Sequence, residues 1–591
     1  RTLHRIQRRT PSKDPLEIAT RSLVTSMKSA TAFIQHLTTA KWDEAHNILQ
    51  SLQQQNNETA DDVDTHTRNT IAKYADWHSR TVLHFALKHA DCMPPASLIQ
   101  DLVEVVGVYT ACCDSDGRTP LAYACRFVSE FSSTTSSMTR RAHDQEQEQE
   151  ARHRHQELLD ILTALSQNCQ MTGQLPALVA DKHDRVPLHV ICISTRPAFD
   201  YNNTTTQFEP NACSVYLKHT VQMMLQSDHM AARVLDEFQR LPLHYAFLNS
   251  IPIPLVKMIV VAHPAALHMC DCKGNAPMHY LMSTAKCHGN EAYIASVLDV
   301  LSCSIDSDIF SAALMVQNGE KGCTPIHVAI GSYLSDELLC KLLQCEPKVA
   351  HVACTVYGDL PIHAAIRSTI KSMNDYSNLI AQLVSCASSS LMRQDRQGRT
   401  PLLLAALSSA RLSVETMRVI VNGDLGAIHV PCKMLGIAPL EQLWAKRPPG
   451  MALIQSFETI EKCPQLFQFW SKLELLLYAS YGLYYCKYDG LNVLPPPNVM
   501  EARKYILHAA SIAPTPETLL RSLLHLFPDQ ASERSEADKK LPYQLAIDSG
   551  KSQSCVRLIL QAFPQAISVE EVHPQTLANI LSQFTEDDDG G

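Results

Sequence analysis

The octet Gly322-Cys323-Thr324-Pro325-Ile326-His327-Val328-Ala329 recurs in some form about eleven times along the chain, and no other feature constrains the fold as strongly. A short unit repeated at near-constant spacing cannot bury its own apolar side, so it must stack on copies of itself. Each residue of the octet has a local reason. Gly322 supplies the positive backbone angle of a tight turn. Thr324 is placed to accept a hydrogen bond from the free amides of a first helical turn. Pro325 takes the first helical position, where its missing N–H costs nothing. Ile326, Val328, Ala329 and Ile330 then begin a buried face.

The key proline falls at 120, 187, 242, 277, 325, 361, 401, 439 and 542, with Val82 and Ile506 in its place in two weaker copies. Steps of 36, 40 and 38 residues separate Pro325, Pro361, Pro401 and Pro439. Six residues before the key position stands an acid in seven copies: Asp76, Asp114, Asp181, Asp236, Asp271, Asp395 and Glu536. A second signal lies in Pro264-Ala265-Ala266, Pro347-Lys348-Val349-Ala350, Pro528-Asp529-Gln530-Ala531 and Pro564-Gln565-Ala566. These follow the apolar runs Leu255–Val261, Leu338–Leu343, Leu519–Phe527 and Val556–Phe563, and Pro just past a helix end cannot continue it. The tiled unit is therefore a turn, a proline-started helix, a second apolar helix and a Pro-x-Ala loop.

An ordinary globular chain of 591 residues would split into roughly three to five domains. A stack escapes that limit because each unit touches only its neighbours. The formal net charge of −9 argues against a protein that coats nucleic acid. Twenty scattered cysteines with no C-x-x-C pair fit a reduced setting, cytoplasmic or nuclear. Asn57-Glu58-Thr59 and Asn203-Thr204-Thr205 match a glycosylation acceptor but read as loop sequence in that setting. The apolar run Leu473–Cys486 is too short for a membrane span and contains Glu474, so it reads as a core helix. The chain begins at Arg1 rather than Met, as a fragment of a longer protein would, and the lack of a leader carries no weight.

Residues 1–14 read as a basic disordered tail, and 15–75 as capping helices with a polar loop over Gln53–Asn69. Residues 76–460 carry nine repeats, with disordered insertions near 129–156 and 196–212. Residues 461–500 form an aromatic helical segment followed by the Pro495-Pro496-Pro497 break. Phe467, Trp470, Leu473, Leu477 and Tyr481 share a face there that packs on the preceding repeat. Two more repeats occupy 501–570, and 571–591 is a terminal helix and acidic tail.

The octets resemble the ankyrin-repeat family, whose sign is Thr-Pro-Leu-His-x-Ala at a period of about 33 residues. The resemblance runs from Asp76 to Ala566, with departures at Val82, Ala276, Leu360 and Leu541. Phe469-Trp470-Ser471-Lys472-Leu473-Glu474-Leu475-Leu476-Leu477, Leu507-His508-Ala509-Ala510 and the Pro-x-Ala loops look like a divergent branch of it. It implies an all-α ankyrin-repeat solenoid of about eleven helix–turn–helix units with short hairpin-like loops, working through protein–protein contact. It also implies that His84, His189, His244, His279, His327 and His363 are structural and bond the backbone of a neighbouring loop. Partners would meet the concave face and the loop tips. The tip candidates are the basic column Arg80, Arg118, Arg185, Arg240 and Arg399, two residues before the key position, with Trp77, Phe238, Lys273 and Tyr357 beside it. Trp, Tyr and Arg are the types enriched at binding hot spots. The competing reading of the column is a solvated repeat consensus.

Cys270, Cys272, His279, Cys287 and His288 make the densest Cys/His cluster, but Cys270-x-Cys272 is too tight for a zinc knuckle. No nucleotide, nucleophile-elbow or metalloprotease motif occurs. The expectation is a monomeric, non-catalytic scaffold or adaptor with no metal and no cofactor. Its partner would be a protein of acidic character, with no nucleic acid and no membrane span. The alternatives are the recognition region of a larger kinase or ubiquitin ligase, or the cytosolic repeats of a membrane channel.

Overall fold

A computed structural model describes residues 28–54, 62–88, 93–104, 110–125, 153, 156–158, 160–165, 176–195, 215–227, 229–284, 291–371, 375–407, 412–449, 451, 457–489, 505–535 and 539–565. Among these, all regular structure is helical. The chain divides into two compact units, Arg1–Gly319 and Glu320–Gly591. The octets open helices in both. In the first unit these are Val82–Ala86, 120–125, Pro187–Ser194, Pro242–Leu248 and Pro277–Ser283. In the second they are Pro325–Gly331, Pro361–Lys371, Pro401–Leu407, Pro439–Ala445, Ile506–Ile512 and Pro542–Asp548. Each unit is a stretch of helical-repeat solenoid. The basic tail at 1–14, most of the insertion at 129–156, the insertion at 196–212, the proline break and the segment 571–591 lie outside the described residues.

Between octets the chain returns through a second helix, such as Asp336–Cys345, Ser377–Cys386 and Val414–Gly423. First helices pack on first helices and second on second. Leu339 and Leu343, Leu379 and Leu383, and Ile420 and Val421 are buried along the second-helix row. The Pro-x-Ala segments are single 3-10 turns rather than irregular loops, at Pro264–His268, Pro347–His351 and Pro528–Ala531. Proline can open them because its fixed φ suits a turn start and no amide is needed there. Each turn tucks small apolar groups inward: Ala266 and Leu267, Val349 and Ala350, or Ala531.

Two segments differ from what their sequence suggests. Asp62–Ala72 is helical, although it falls largely within the span read as a polar loop. Only Thr67 and Ile71 of its described side chains are buried, four residues apart, so its apolar period is too sparse to see in the sequence. The aromatic segment is one helix, Pro464–Asp489. It packs on the preceding repeat, with the Trp444 and Phe469 ring centroids 6.5 Å apart. It also packs on the succeeding repeat, with Trp470 6.2 Å from Phe527 and Tyr481 stacked at 6.4 Å on Tyr505. The helix is sandwiched rather than a cover on one repeat, and it joins the repeats on its two sides within the second unit. Trp470, Leu473 and Leu477 are buried as expected, while Phe467 lies at the exposed edge. No helix among the described residues is long and apolar enough to cross a membrane.

A backbone residue in the left-handed region marks each described hairpin, always three positions before the key residue. Ser79, Gly117, Asp184, Gln239, Gly274, Gly322, Gly358, Gly398, Gly436 and Lys539 all hold it. Gly398 has φ +72°, and a Cβ there would stand 2.6 Å from the Lys433 amide nitrogen of the next hairpin. Gly436 has a similar φ of +66° with nothing within 4 Å. Gly398→Ala therefore lowers stability by about 2 kcal/mol or more, and Gly436→Ala by only about 1 kcal/mol. Urea unfolding of the two variants side by side measures the difference, and equal losses would show that the close approach is relieved without cost.

Candidate functional site

The hairpins connecting successive repeats are built by the acid column. At Asp395 the carboxylate Oδ1 accepts from the amides of Gln397 and Arg399, both at 2.9 Å. Its own amide donates to the Arg399 carbonyl at 2.9 Å. Asp76, Asp114, Asp181, Asp236 and Asp271 accept from the amides two and four residues on in the same way. Cys354 and Cys432 stand in that place in two hairpins that are one residue longer, closed onto the carbonyls of Asp359 and Ile437 at 2.8 and 2.9 Å.

Neighbouring hairpins are then stitched by backbone bonds. In the first unit Ser115, Lys182, Glu237 and Cys272 donate to the carbonyls of His78, Asp116, His183 and Phe238, at 2.6 to 3.0 Å. In the second, Thr355, Arg396 and Lys433 donate to Lys321, Tyr357 and Gly398, at 3.0 to 3.2 Å. Each unit thus presents its loop tips in a row whose backbone is fixed.

The histidine column locks the same joints from beneath. Nδ1 of His189, His244, His327 and His363 accepts the amide of the residue just before the helix. The opposite nitrogen, Nε2, meets a carbonyl of the next hairpin: Arg240 at 3.0 Å, Asn275 at 3.2 Å, Asp359 at 3.0 Å and Arg399 at 3.2 Å. A carbonyl only accepts, so Nε2 carries the proton and Nδ1 is the acceptor. His84 does the same toward Arg118 at 2.8 Å. Burial pushes the pKa of His189, His244, His327 and His363 down to about 4, so all four rings are neutral.

This corrects the role expected of Thr324. Its hydroxyl lies 2.7 Å from the proton-free Nδ1 of His327 and donates to it instead of accepting from helix amides. Where histidine is absent the expectation holds: Thr119 and Thr400 accept from the amides of Ala122 and Leu403, each at 3.2 Å. Glu441 and Gln544 replace the histidine in other copies, accepting from Ala438 and Leu541. His279 accepts from Ala276 at 3.1 Å. Cys270 and Cys272 are exposed, whereas Cys287 and His288 lie outside the described residues. No group of three or more His, Cys, Asp or Glu that could hold a metal ion occurs among the described residues.

The basic column divides in two. Arg80 and Arg399 fold back on their own hairpin acids, with Nη2 at 2.7 Å from Asp76 and 2.8 Å from Asp395. Arg240 reaches forward to Asp271 at 3.3 Å and to the Tyr280 hydroxyl at 2.9 Å, and it lies over the Phe238, Tyr245 and Tyr280 rings. These three brace the row. Arg118 and Arg185 are half-exposed and pair with Asp116 at 3.4 Å and Glu237 at 3.9 Å. Lys273 is exposed. Trp77, Phe238 and Tyr357 stand at the tips, 85%, 41% and 50% exposed.

Sequence reasoning missed two further sets. Tyr123, Tyr245 and Tyr280 each stand nine residues after a hairpin acid and donate to it at 2.8, 2.6 and 2.6 Å. That fixed offset was the available signal. Val356, Met434 and Leu435 are exposed at the tips of the two longer hairpins. There the signal was cysteine in the acid column, which accompanies the extra residue.

No family model and no curated protein matches the sequence. Among solved structures, the ankyrin repeat domain of Bcl-3, described as a unique member of the IkappaB protein family, is similar at 17% identity and a TM-score of 0.30. That alignment covers 44% of this chain and 93% of the other. The Bd0816 predatory endopeptidase from Bdellovibrio bacteriovorus in complex with immunity protein Bd3460 is similar at 16% identity and a TM-score of 0.25, over 34% and 90% of the two chains. The repeat itself is more telling: a hairpin, a Thr/Pro-opened short helix, a histidine bonded to the next hairpin and an antiparallel return helix, over and over. By that unit, the fold is an all-α solenoid of ankyrin-like repeats.

Proposed function

We propose that the chain is a non-catalytic protein-binding module, a scaffold or adaptor that grips its partner with the loop tips and the adjoining concave face. The observation that carries this reading is large apolar and aromatic side chains left in water on a backbone that is hydrogen-bonded into place. Trp77 and Phe238 are so held in the first unit, and Val356, Tyr357, Met434 and Leu435 in the second. Such groups order at little entropic cost on binding, because the loops beneath them are already fixed. Lys273 adds exposed positive charge beside the first set and favours an acidic partner, for which the half-exposed Arg118 and Arg185 would exchange Asp116 and Glu237. Arg80, Arg240 and Arg399 support the row from within.

The test is affinity capture with the wild-type chain and two tip variants. One combines Trp77→Ala with Phe238→Ala, and the other combines Tyr357→Ser, Met434→Ser and Leu435→Ser. Loss of captured partner by tenfold or more from at least one variant, at an unchanged melting temperature, is expected. An unchanged set of captured proteins from both would overturn the reading.

A further inference from the structure

At one joint the basic column reaches the acid column of the next hairpin. In the first unit Arg240, two residues before Pro242, sets its Nε 3.3 Å from Oδ2 of Asp271, the acid of the next hairpin. In the second unit both of these facing places are cysteine at once. Cys323 stands two residues before Pro325, and Cys354 takes the acid's place in the next hairpin.

The backbone around the pair is tightly registered. The amides of Thr355 and Val356 donate to the Lys321 carbonyl at 3.0 and 3.2 Å. A Cβ on Gly322 would fall 2.3 Å from Thr355 Oγ1. His327 Nε2 closes the far side onto the Asp359 carbonyl at 3.0 Å. Between these anchors the Cys323 thiol lies beside that of Cys354, near enough for the two to interact. Cys323 is half-buried, Cys354 is buried, and both are free thiols.

We propose that Cys323 and Cys354 form a redox modification site, closing a reversible disulfide across two successive repeats at the two places that carry the Arg240–Asp271 ion pair in the first unit. The oxidant class is a low-molecular-weight disulfide, RSSR. Cys323, the half-exposed member, loses its proton to solvent and attacks one sulfur of RSSR. That S–S bond breaks, and RS⁻ leaves and takes up a proton. Cys354, deprotonated in turn, attacks the Cys323 sulfur of the mixed disulfide and expels the second RS⁻, which is likewise protonated. Two protein thiols are oxidised to one disulfide, and RSSR is reduced to two RSH. Burial pushes the Cys323 thiol up to about 11, so closure is slow at neutral pH and quickens as pH rises. The link cinches the hairpin that displays Val356 and Tyr357.

The experiment treats the full chain with oxidised glutathione, then alkylates it and maps unreduced and reduced peptides by mass spectrometry. The expected product is a Cys323–Cys354 peptide pair, lighter by two hydrogen atoms and released by reductant. The exposed Cys270, Cys272, Cys303 and Cys386 serve as internal controls that report the oxidant's reach. Cys354→Ser should stop at a stable glutathione adduct on Cys323, and Cys323→Ser should leave Cys354 unmodified. The oxidised wild-type chain should melt several degrees higher than the reduced one. A lasting glutathione adduct on Cys323 of the wild-type chain, with Cys354 still alkylatable, overturns the proposal. So does an unmodified pair under conditions that modify the exposed cysteines. The wild-type map decides the matter even where a serine variant fails to fold.

Discussion

Trp470→Ala should lower the unfolding free energy of the second unit by about 3–5 kcal/mol, the range for truncating a large buried aromatic ring. Trp470 is 1% exposed in the first third of the Pro464–Asp489 helix. Its ring lies 6.2 Å from Phe527, and its indole Nε1 donates to Glu474 Oε1 at 2.5 Å. Glu474 is itself buried, so truncation removes packing volume and also a donor from a carboxylate shielded from water. Trp470→Phe separates the two contributions. It keeps most of the ring and loses only the N–H, and should cost about 1–3 kcal/mol. Urea midpoints with unchanged m-values check both. Equal losses in the two variants would assign the whole effect to the hydrogen bond. A loss under about 1 kcal/mol for alanine would show that the helix is not held between its neighbours.

Acid should weaken the second unit through His327 and His363 before most carboxylates titrate. Both histidines have a folded pKa of about 4 against 6.5 in the unfolded chain, the cause being burial, opposed in part by their carbonyl partners. The unfolded state then binds more protons between those values, so stability is present above pH 6.5 and falls as pH drops toward 4. Each histidine should remove on the order of 2 kcal/mol between pH 7 and pH 5.

Asp395, held below the usual carboxylate range by Arg399 and two amides against the opposing effect of burial, adds a loss of the same sign at lower pH. Asp359 is raised by burial and works in the opposite direction, softening the decline. Glutamine serves as the untitratable control, because Gln544 already fills the histidine's place in one copy. Urea midpoints of wild type at pH 7 and 5 should differ by more than those of the His327→Gln/His363→Gln double variant. Parallel profiles would place the acid sensitivity elsewhere.

What could be read in advance was local. The acid column bonds amides two and four residues on, the positive-φ residue belongs to one turn, and the proline and apolar residues belong to one short helix. Such interactions lie within about ten residues, and eleven copies repeat their pattern. Even here one role was misjudged. Thr324 looks like a cap that accepts, and it becomes a donor because His327, itself oriented by a carbonyl 32 residues away, presents a bare nitrogen.

The candidate site was legible in part. Trp77, Phe238 and Tyr357 are tip residues in the structure as in the sequence. Arg80, Arg240 and Arg399 share their column with Arg118 and Arg185 yet are spent on Asp76, Asp271 and Asp395. Identical residues at identical offsets differ in exposure because the next hairpin supplies different neighbours.

The sequence by itself determined the repeat, its helix starts, its turns and its acid-capped hairpins, since each is settled by bonds within one unit. Tertiary structure alone decided which arginines are turned onto the hairpin acids, which stay half-exposed, and which face of the aromatic helix meets which neighbour. It also decided that Cys323 lies against Cys354. Those outcomes depend on side chains tens of residues apart, and stacking, driven by the apolar face no single repeat can hide, is what brings them together.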